Sequence, residues 1–186
     1  MAQGFESEIT IALDVLVEVS KLICAFEIFS QHFPFTRIRV LETSLSGTTE
    51  ALLEKHADLV ITGSVPTGHF GTPLMPVNMI PVAAPSHALA NQAEPVTQMQ
   101  LRSYRQVVLR DTGSHREQDV GWLGSEQRWT VSHFASSIKL LKSGLVFGFI
   151  PQTWVEEELE SGTLLEIKLA NSRVAGPAVS LSVNTK

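Results

Sequence analysis

At 186 residues, the chain is long enough to bury one hydrophobic core or two small lobes. Hydrophobic residues make up 44% of it and charged residues 18%, a composition that excludes a disordered polar chain. The net charge of −5 argues against a nucleic-acid-binding surface on this chain, because such surfaces are usually basic.

Strand and helix patterns alternate over the first third of the chain. The predicted elements are a strand Ile9–Leu13, a helix Leu16–Phe33, a strand Arg37–Leu41, a helix Thr48–His56 and a strand Leu59–Thr62. This alternation predicts a parallel α/β sheet, which binds ligands beyond the carboxyl ends of its strands. Because none of these ends is a glycine-rich phosphate loop, we expect a small ligand other than a nucleotide.

The proline-rich stretch Pro66–Pro85 marks a crossover to a second lobe, and within it Val77–Ala83 is a predicted strand. The later predicted elements are strands Gln106–Leu109 and Arg128–Val131, helix Phe134–Ser143 capped by Ser132, strand Leu145–Ile150, helix Thr153–Glu160, and strands Leu164–Leu169 and Ala178–Val183. Together they predict an α/β fold of two lobes, a clamshell with two crossing strands.

Six segments, in order, resemble motifs of the effector-binding (regulatory) domain of LysR-type transcriptional regulators. They are Ile9–Leu13, Phe29–Pro34, Ile38–Glu42, Leu52–Ile61, Val82–Ala90 and Leu141–Pro151. The resemblance implies a type II periplasmic-binding-protein-like fold. Lobe I then comprises residues 5–76 and 182–186, lobe II comprises 82–176, and 77–81 and 177–181 are hinge strands.

Three departures from the family pattern affect this interpretation. The N-terminal DNA-binding domain of the family is absent from this chain, which we interpret as the regulatory domain alone. The last helix of the family, after the strand at Ala178–Val183, is also missing. Val146 replaces a usual glycine, and its side chain is expected to narrow the space beside the cleft.

The candidate ligand-binding residues lie where predicted strands end in the two lobes. They are Asp14, Leu16, Ser44, Leu45, Ser46, Ser64, Val65, His133 and Phe134. Ser44 and Ser46 precede a helix, where they either cap it or also bind a ligand. The resemblance implies that leucines at 16 and 45, in place of hydroxyl side chains, favour either a less anionic ligand or one bound by backbone N–H groups with its apolar part against leucine. His133 either binds a ligand acid or is a capping or solvent-facing histidine.

Catalytic motifs are not evident, so we predict that the chain is not an enzyme and uses no metal or cofactor. The six histidines are scattered singly, without metal-ligand spacing: His32, His56, His69, His87, His115 and His133. Cys24 is the only cysteine of the chain, so an internal disulfide cannot form, and we interpret its side chain as a small buried hydrophobe. The acidic run Glu156–Glu158 is expected to be a solvated helix face.

The first predicted helix carries a second apolar line, Val17, Cys24 and Ile28. This line is expected to pack against a second copy of the chain, or else to be covered by the missing C-terminal helix. The resemblance implies an antiparallel homodimer, with DNA bound only through the missing N-terminal domain. The segment MAQGFESE carries no export signal and no apolar run is long enough to span a bilayer, so we expect a cytoplasmic protein without membrane contact.

The sequence therefore predicts the effector-binding domain of a transcription regulator, which senses a metabolite between its lobes and controls DNA binding. One alternative is a solute-binding protein of a transport system, which shares the fold. Ligand binding by a monomer would favour that alternative, whereas a stable dimer would favour the regulator. A second alternative is an enzyme on the same fold, which turnover of a bound ligand would reveal.

Overall fold

The computed structural model of the protein describes residues 7–114, 122–171 and 179–185, the last range as backbone only. The predictions for His115, Ala178 and the first six residues therefore lie outside the described residues. The chain divides into two compact units. Unit 1 comprises Met1–Met75, Thr112–Glu117 and Ser180–Lys186, and unit 2 comprises Pro76–Asp111 and Gln118–Val179.

Unit 1 contains a five-stranded sheet with the order β2-β1-β3-β10-β4. Its strands are β1 (Glu8–Asp14), β2 (Arg37–Thr43), β3 (Leu59–Thr62), β4 (Thr72–Val77) and β10 (Val179–Thr185). β1 pairs in parallel with both β2 and β3, as predicted, and β10 is antiparallel to β3. The helix α2 (Ser46–Leu53) covers this sheet through a small apolar cluster of Ala12, Ala51, Leu52, Ala57 and Val60.

The predicted helix Leu16–Phe33 is shorter than expected. A 3-10 turn at Val19–Leu22 precedes the helix α1 (Ile23–His32), and no side chain of α1 is buried. The prediction that Cys24 is buried is wrong, because its side chain is exposed. Apolar side chains occupy almost every side of α1, so periodicity alone did not indicate which of them the sheet covers.

Unit 2 contains a separate five-stranded sheet with the order β7-β6-β8-β5-β9. Its strands are β5 (Met79–Ala83), β6 (Gln106–Leu109), β7 (Arg128–Val131), β8 (Phe147–Pro151) and β9 (Leu165–Glu166). Its helices are α3 (Gln98–Arg102), α4 (Phe134–Lys142) and α5 (Glu156–Glu160). The core includes Leu89, Leu101, Phe147 and Ile167, which are nearly inaccessible to solvent. The separate sheets agree with the prediction of two lobes.

Two predicted strands are interrupted because their backbone changes partners. Val77–Ala83 is broken at Asn78, since β4 belongs to the first sheet and β5 to the second. Leu164–Leu169 forms a ladder with β5 only at β9, after which Leu169 bridges to Val96. Local apolar patterns predicted these strands but not the change of partner.

Other predicted elements differ in where they begin and end. α2 begins two residues earlier than predicted and ends at Leu53, and a 3-10 turn at Gln152–Trp154 precedes α5. Residues 112–114, which were predicted to lie in lobe II, group with unit 1. Thr112 accounts for this grouping, because its backbone N–H and hydroxyl both donate hydrogen bonds to the carbonyl of Ser44.

None of the helices within the described ranges is both long and apolar enough to cross a membrane.

Candidate functional site

The carboxyl ends of β1, β2 and β3 lie side by side, and this region of unit 1 is called the carboxyl edge below. Asp14, the last residue of β1, is opposite Thr43, the last residue of β2. The backbone N–H of Val15 donates a 2.9 Å hydrogen bond to the carbonyl of Thr43, which holds the two chain ends together. Leu16 and the start of α2 follow directly, so the first five predicted site residues belong to one edge of the sheet.

Asp14 is the buried carboxyl group of this edge, with 5% of its surface exposed. Its carboxylate accepts hydrogen bonds from the backbone N–H of Leu16 at 3.0 Å, from the Thr48 hydroxyl at 3.3 Å and from the backbone of Gly63. Burial raises the pKa of Asp14 from 3.8 to about 6, against the lowering effect of these donors. Asp14 therefore joins three segments, and its pKa of about 6 lies well above that of an ordinary aspartate.

Two threonines that sequence analysis did not single out complete this network. The hydroxyl groups of Thr43 and Thr48 are 2.9 Å apart, and the Thr43 hydroxyl also donates to the carbonyl of Leu13 at 3.4 Å. The positions of these threonines, at a strand end and in the first turn of a helix, are the signal that could have found them. They link Asp14 to both β2 and α2.

The turn that enters α2 has a strained backbone. Leu45 has φ 52° and ψ −118°, and the N–H of Gly47 donates to the carbonyl of Ser44 at 3.0 Å. These values describe the first central residue of a type II′ turn, a position that normally requires glycine. Such strain costs on the order of 1–3 kcal/mol and occurs preferentially at functional sites.

Ser44 and Ser46 flank this turn and are both almost completely buried. Leu45 occupies the N-cap position of α2 and forms no side-chain capping bond. The interpretation of the two serines as N-cap residues is therefore wrong, because Ser44 precedes the cap and Ser46 is the first helical residue. The backbone turn brings both to the N-terminus of α2.

Ser64 and Val65 follow β3 at the carboxyl edge. Ser64 is exposed and Val65 is half-buried, and Leu16 is half-buried at the end of β1. The Thr62 hydroxyl donates to the carbonyl of Ser64 at 2.9 Å and accepts from its N–H at 3.1 Å, which fixes the backbone after β3.

His133 and Phe134 belong to unit 2, at the N-terminus of α4. His133, rather than the predicted Ser132, is the N-cap, and its Nδ1 accepts a 3.1 Å hydrogen bond from the N–H of Ala135. The alternative of a capping histidine is thus confirmed, and ligand binding by His133 stays a prediction. Phe134 is buried, and the rings of His133 and Phe134 both pack against Trp154.

No cluster of three or more metal-ligating side chains occurs within the ranges 7–114 and 122–171. The acidic run behaves largely as expected, with Glu156 and Glu157 exposed. Glu158 forms a 2.7 Å ion pair with Lys142 of α4.

Comparison with protein families gives a match over residues 2–185 to the family described as LysR substrate binding domain. The chain is 30% identical over 181 residues to the uncharacterized HTH-type transcriptional regulator YeeY of Escherichia coli K12. It is 27% identical over 172 residues to the probable HTH-type transcriptional regulator YhaJ of the same organism. The matches cover 94% and 88% of this chain but 58% and 56% of those proteins, so the chain spans less than two thirds of either.

Among solved structures, the regulatory domain of MetR, a LysR family regulator from Neisseria meningitidis, resembles this fold with a TM-score of 0.72. The two sequences are 19% identical, and the match covers 96% of this chain and 84% of that one. This similarity confirms the predicted fold class, a two-lobed periplasmic-binding-protein-like α/β fold. The transport alternative gains no support, because the two relatives named above are described as transcriptional regulators.

Proposed function

Because the chain belongs to the LysR substrate-binding domain family, we propose that it is the effector-sensing part of a longer, cytoplasmic transcription regulator. The family consists of regulators, not enzymes. In this proposal DNA is bound by an N-terminal domain outside this chain, and residues 77–81 and 177–181 serve as hinges. The effector acts through its different affinities for two conformations of the regulator.

The effector-binding site in this proposal includes the carboxyl edge of unit 1. The observation that carries it is the buried polar network around Asp14, Thr48 and Ser44, next to a strained turn at Leu45. A packed core favours apolar side chains at such positions, and buried polar groups with strained backbone are typical of ligand sites. Ser64 and Val65 extend the proposed site beyond β3. In unit 2, the candidate ligand-binding residues are His133 and Phe134.

We further propose that the effector is neutral or only weakly anionic and has an apolar part. The N-terminus of α2 favours negative charge, but the carboxylate of Asp14 already accepts a hydrogen bond from Thr48 in its first turn. A second negative charge nearby would be repelled when Asp14 is ionised. The half-buried side chains of Leu16 and Leu45 offer apolar contact at the same edge.

A thermal-shift screen against small metabolites tests this function. The screen includes carboxylates, amino acids and purine-related compounds, and a ligand at 100 times its Kd should stabilise the domain by about 2.7 kcal/mol. A Ser46→Ala variant should bind the ligand more weakly while unfolding within about 2 kcal/mol of the wild type. Ser136→Ala, at an exposed position of α4, is the matched control. Equal affinity in both variants would exclude Ser46 from the site.

The same family membership leads us to propose a homodimer formed through α1. Ile23 and Ile28 are 51% and 54% exposed, and Phe33, directly after the helix, is 43% exposed. Of the predicted second line, Val17 is buried, whereas Cys24 and Ile28 are exposed, so only the last two are available to a partner. An apolar surface of this kind is typical of a protein interface.

A further inference from the structure

The segment Thr112–Ser114, called the strap below, lies against the N-terminal half of α2. The Thr112 hydroxyl accepts a hydrogen bond from the N–H of Ser44 at 2.8 Å and donates to the Ser44 carbonyl at 3.1 Å. The N–H of Ser114 donates to the carboxylate of Glu50 at 2.7 Å. All of these contacts lie within unit 1, at the edge where the effector is proposed to bind.

Two glycines allow the strap to approach this closely. A Cβ atom on Gly47 of α2 would collide with the Thr112 hydroxyl and lie 3.0 Å from the Thr112 carbonyl carbon. A Cβ atom on Gly113 of the strap would collide with the Ser46 hydroxyl and lie 2.8 Å from a Glu50 oxygen. Glycine within a helix lowers the stability of the helix by roughly 1 kcal/mol relative to alanine. The close contact with the strap explains why position 47 is nonetheless a glycine.

We propose that the strap occupies the position of the effector at the N-terminus of α2. The effector must therefore displace the strap in order to bind there. The strap presents an oxygen to the N–H of Ser44 and an N–H to the carboxylate of Glu50. The effector that replaces it therefore carries a hydrogen-bond acceptor beside an N–H donor, as an amide or an amino compound does. A carboxylate lacks the donor and is repelled by Glu50.

This inference rests on the proposed effector site and adds a regulatory step to it. Since free energy is needed to detach the strap, the observed affinity for the effector is lower than that of the open site. Variants that weaken the strap should therefore bind such ligands more tightly. A merely structural strap would not show this gain.

Hydrogen exchange of backbone amides first tests whether the strap contacts are made. Thr112→Val removes the hydroxyl and keeps the shape, so the Ser44 amide should exchange about five- to tenfold faster, as expected for one lost hydrogen bond. Thr112→Ser retains the hydroxyl and should restore slow exchange. Equal exchange in the valine variant and the wild type would overturn the proposal.

An NMR titration with acetamide and with acetate, compounds of equal size, tests the displacement itself. Gly113→Ala pushes the strap away without changing charge, and Thr112→Val is the second variant in case the alanine variant does not fold. In either variant, acetamide should shift the Ser44 and Gly47 amide signals at concentrations about tenfold lower than in the wild type, and acetate should act more weakly than acetamide. An unchanged acetamide response, or a stronger response to acetate, would contradict the proposal.

The outcome does not depend on finding the natural effector. If a metabolite from the thermal-shift screen binds away from α2, the proposed effector site fails. The acetamide titration still decides whether the strap blocks the N-terminus of α2.

Discussion

Burial gives Asp14 a protonation equilibrium that links folding to pH. Its pKa rises from 3.8 to about 6 on folding, so the folded domain binds the proton more tightly than the unfolded chain does. The associated stability is fully present below pH 3.8 and is lost as the pH rises through about 6. The difference corresponds to about 3 kcal/mol.

Replacing Asp14 by Asn should remove this dependence. The free energy of unfolding of the wild type, relative to Asp14→Asn, should fall by about 2.5 kcal/mol between pH 4 and pH 7, as measured by urea denaturation. Glu157→Gln, at an exposed position of α5, is the control and should differ from the wild type by a nearly constant amount. A flat difference for Asp14→Asn would mean that its carboxyl group is not desolvated in the fold.

The sequence predicted the positions of individual site residues better than it predicted their roles. Asp14, Ser44 and Ser46 were expected at strand ends and lie there, because parallel strands place their carboxyl ends along one edge. The roles of Thr48 and Thr112 were missed. Thr112 is 68 positions away from Ser44 in the chain, and local patterns carry no information about such a contact.

At the scale of secondary structure, α4 offers a test of histidine as an N-cap. His133→Ala and His133→Asp both remove the ring contact with Trp154, but only aspartate retains an acceptor for the N–H of Ala135. The aspartate variant should therefore be more stable than the alanine variant by about 0.5–2 kcal/mol in denaturant unfolding. Equal stability would show that the capping bond contributes nothing.

The strands were easier to predict than the helices, for a physical reason. Five strands begin within one residue of their predicted starts, namely β1, β2, β3, β6 and β7. Short apolar or alternating runs are compatible with few secondary structures other than a strand. The first helix was predicted too long, because the apolar residues that precede α1 are compatible with either a 3-10 turn or an α-helix. The buried state of Cys24 was wrongly predicted because a helix pattern does not specify what covers it.

For the whole molecule, the proposed homodimer predicts a specific loss of association. Ile28→Glu would place two charges in apolar surroundings per symmetric dimer, which is costly without partners. The variant should remain folded but sediment as a monomer at concentrations where the wild type is a dimer. Ser30→Glu adds the same charge two residues further on, on the far side of α1, and should leave the dimer intact. Dimerisation of Ile28→Glu would place the interface elsewhere.

The two-unit organisation was predicted from the proline-rich crossover and the repeated α/β pattern, and the structure has two separate sheets. The membership of residues 112–114 in unit 1 was not foreseen. These residues follow β6 along the chain, and the hydrogen bonds between Thr112 and Ser44 show that they pack against unit 1.

The proposed function requires that a small effector binds at the carboxyl edge of unit 1. The most direct measurement is hydrogen exchange of the backbone amides, recorded with and without a metabolite that the thermal-shift screen identifies as a ligand. Effector binding there should slow the exchange of backbone amides at Leu16 and across Ser44–Thr48, with little change in α5. Protection confined to unit 2, with exchange at Ser44–Thr48 unchanged, would contradict it.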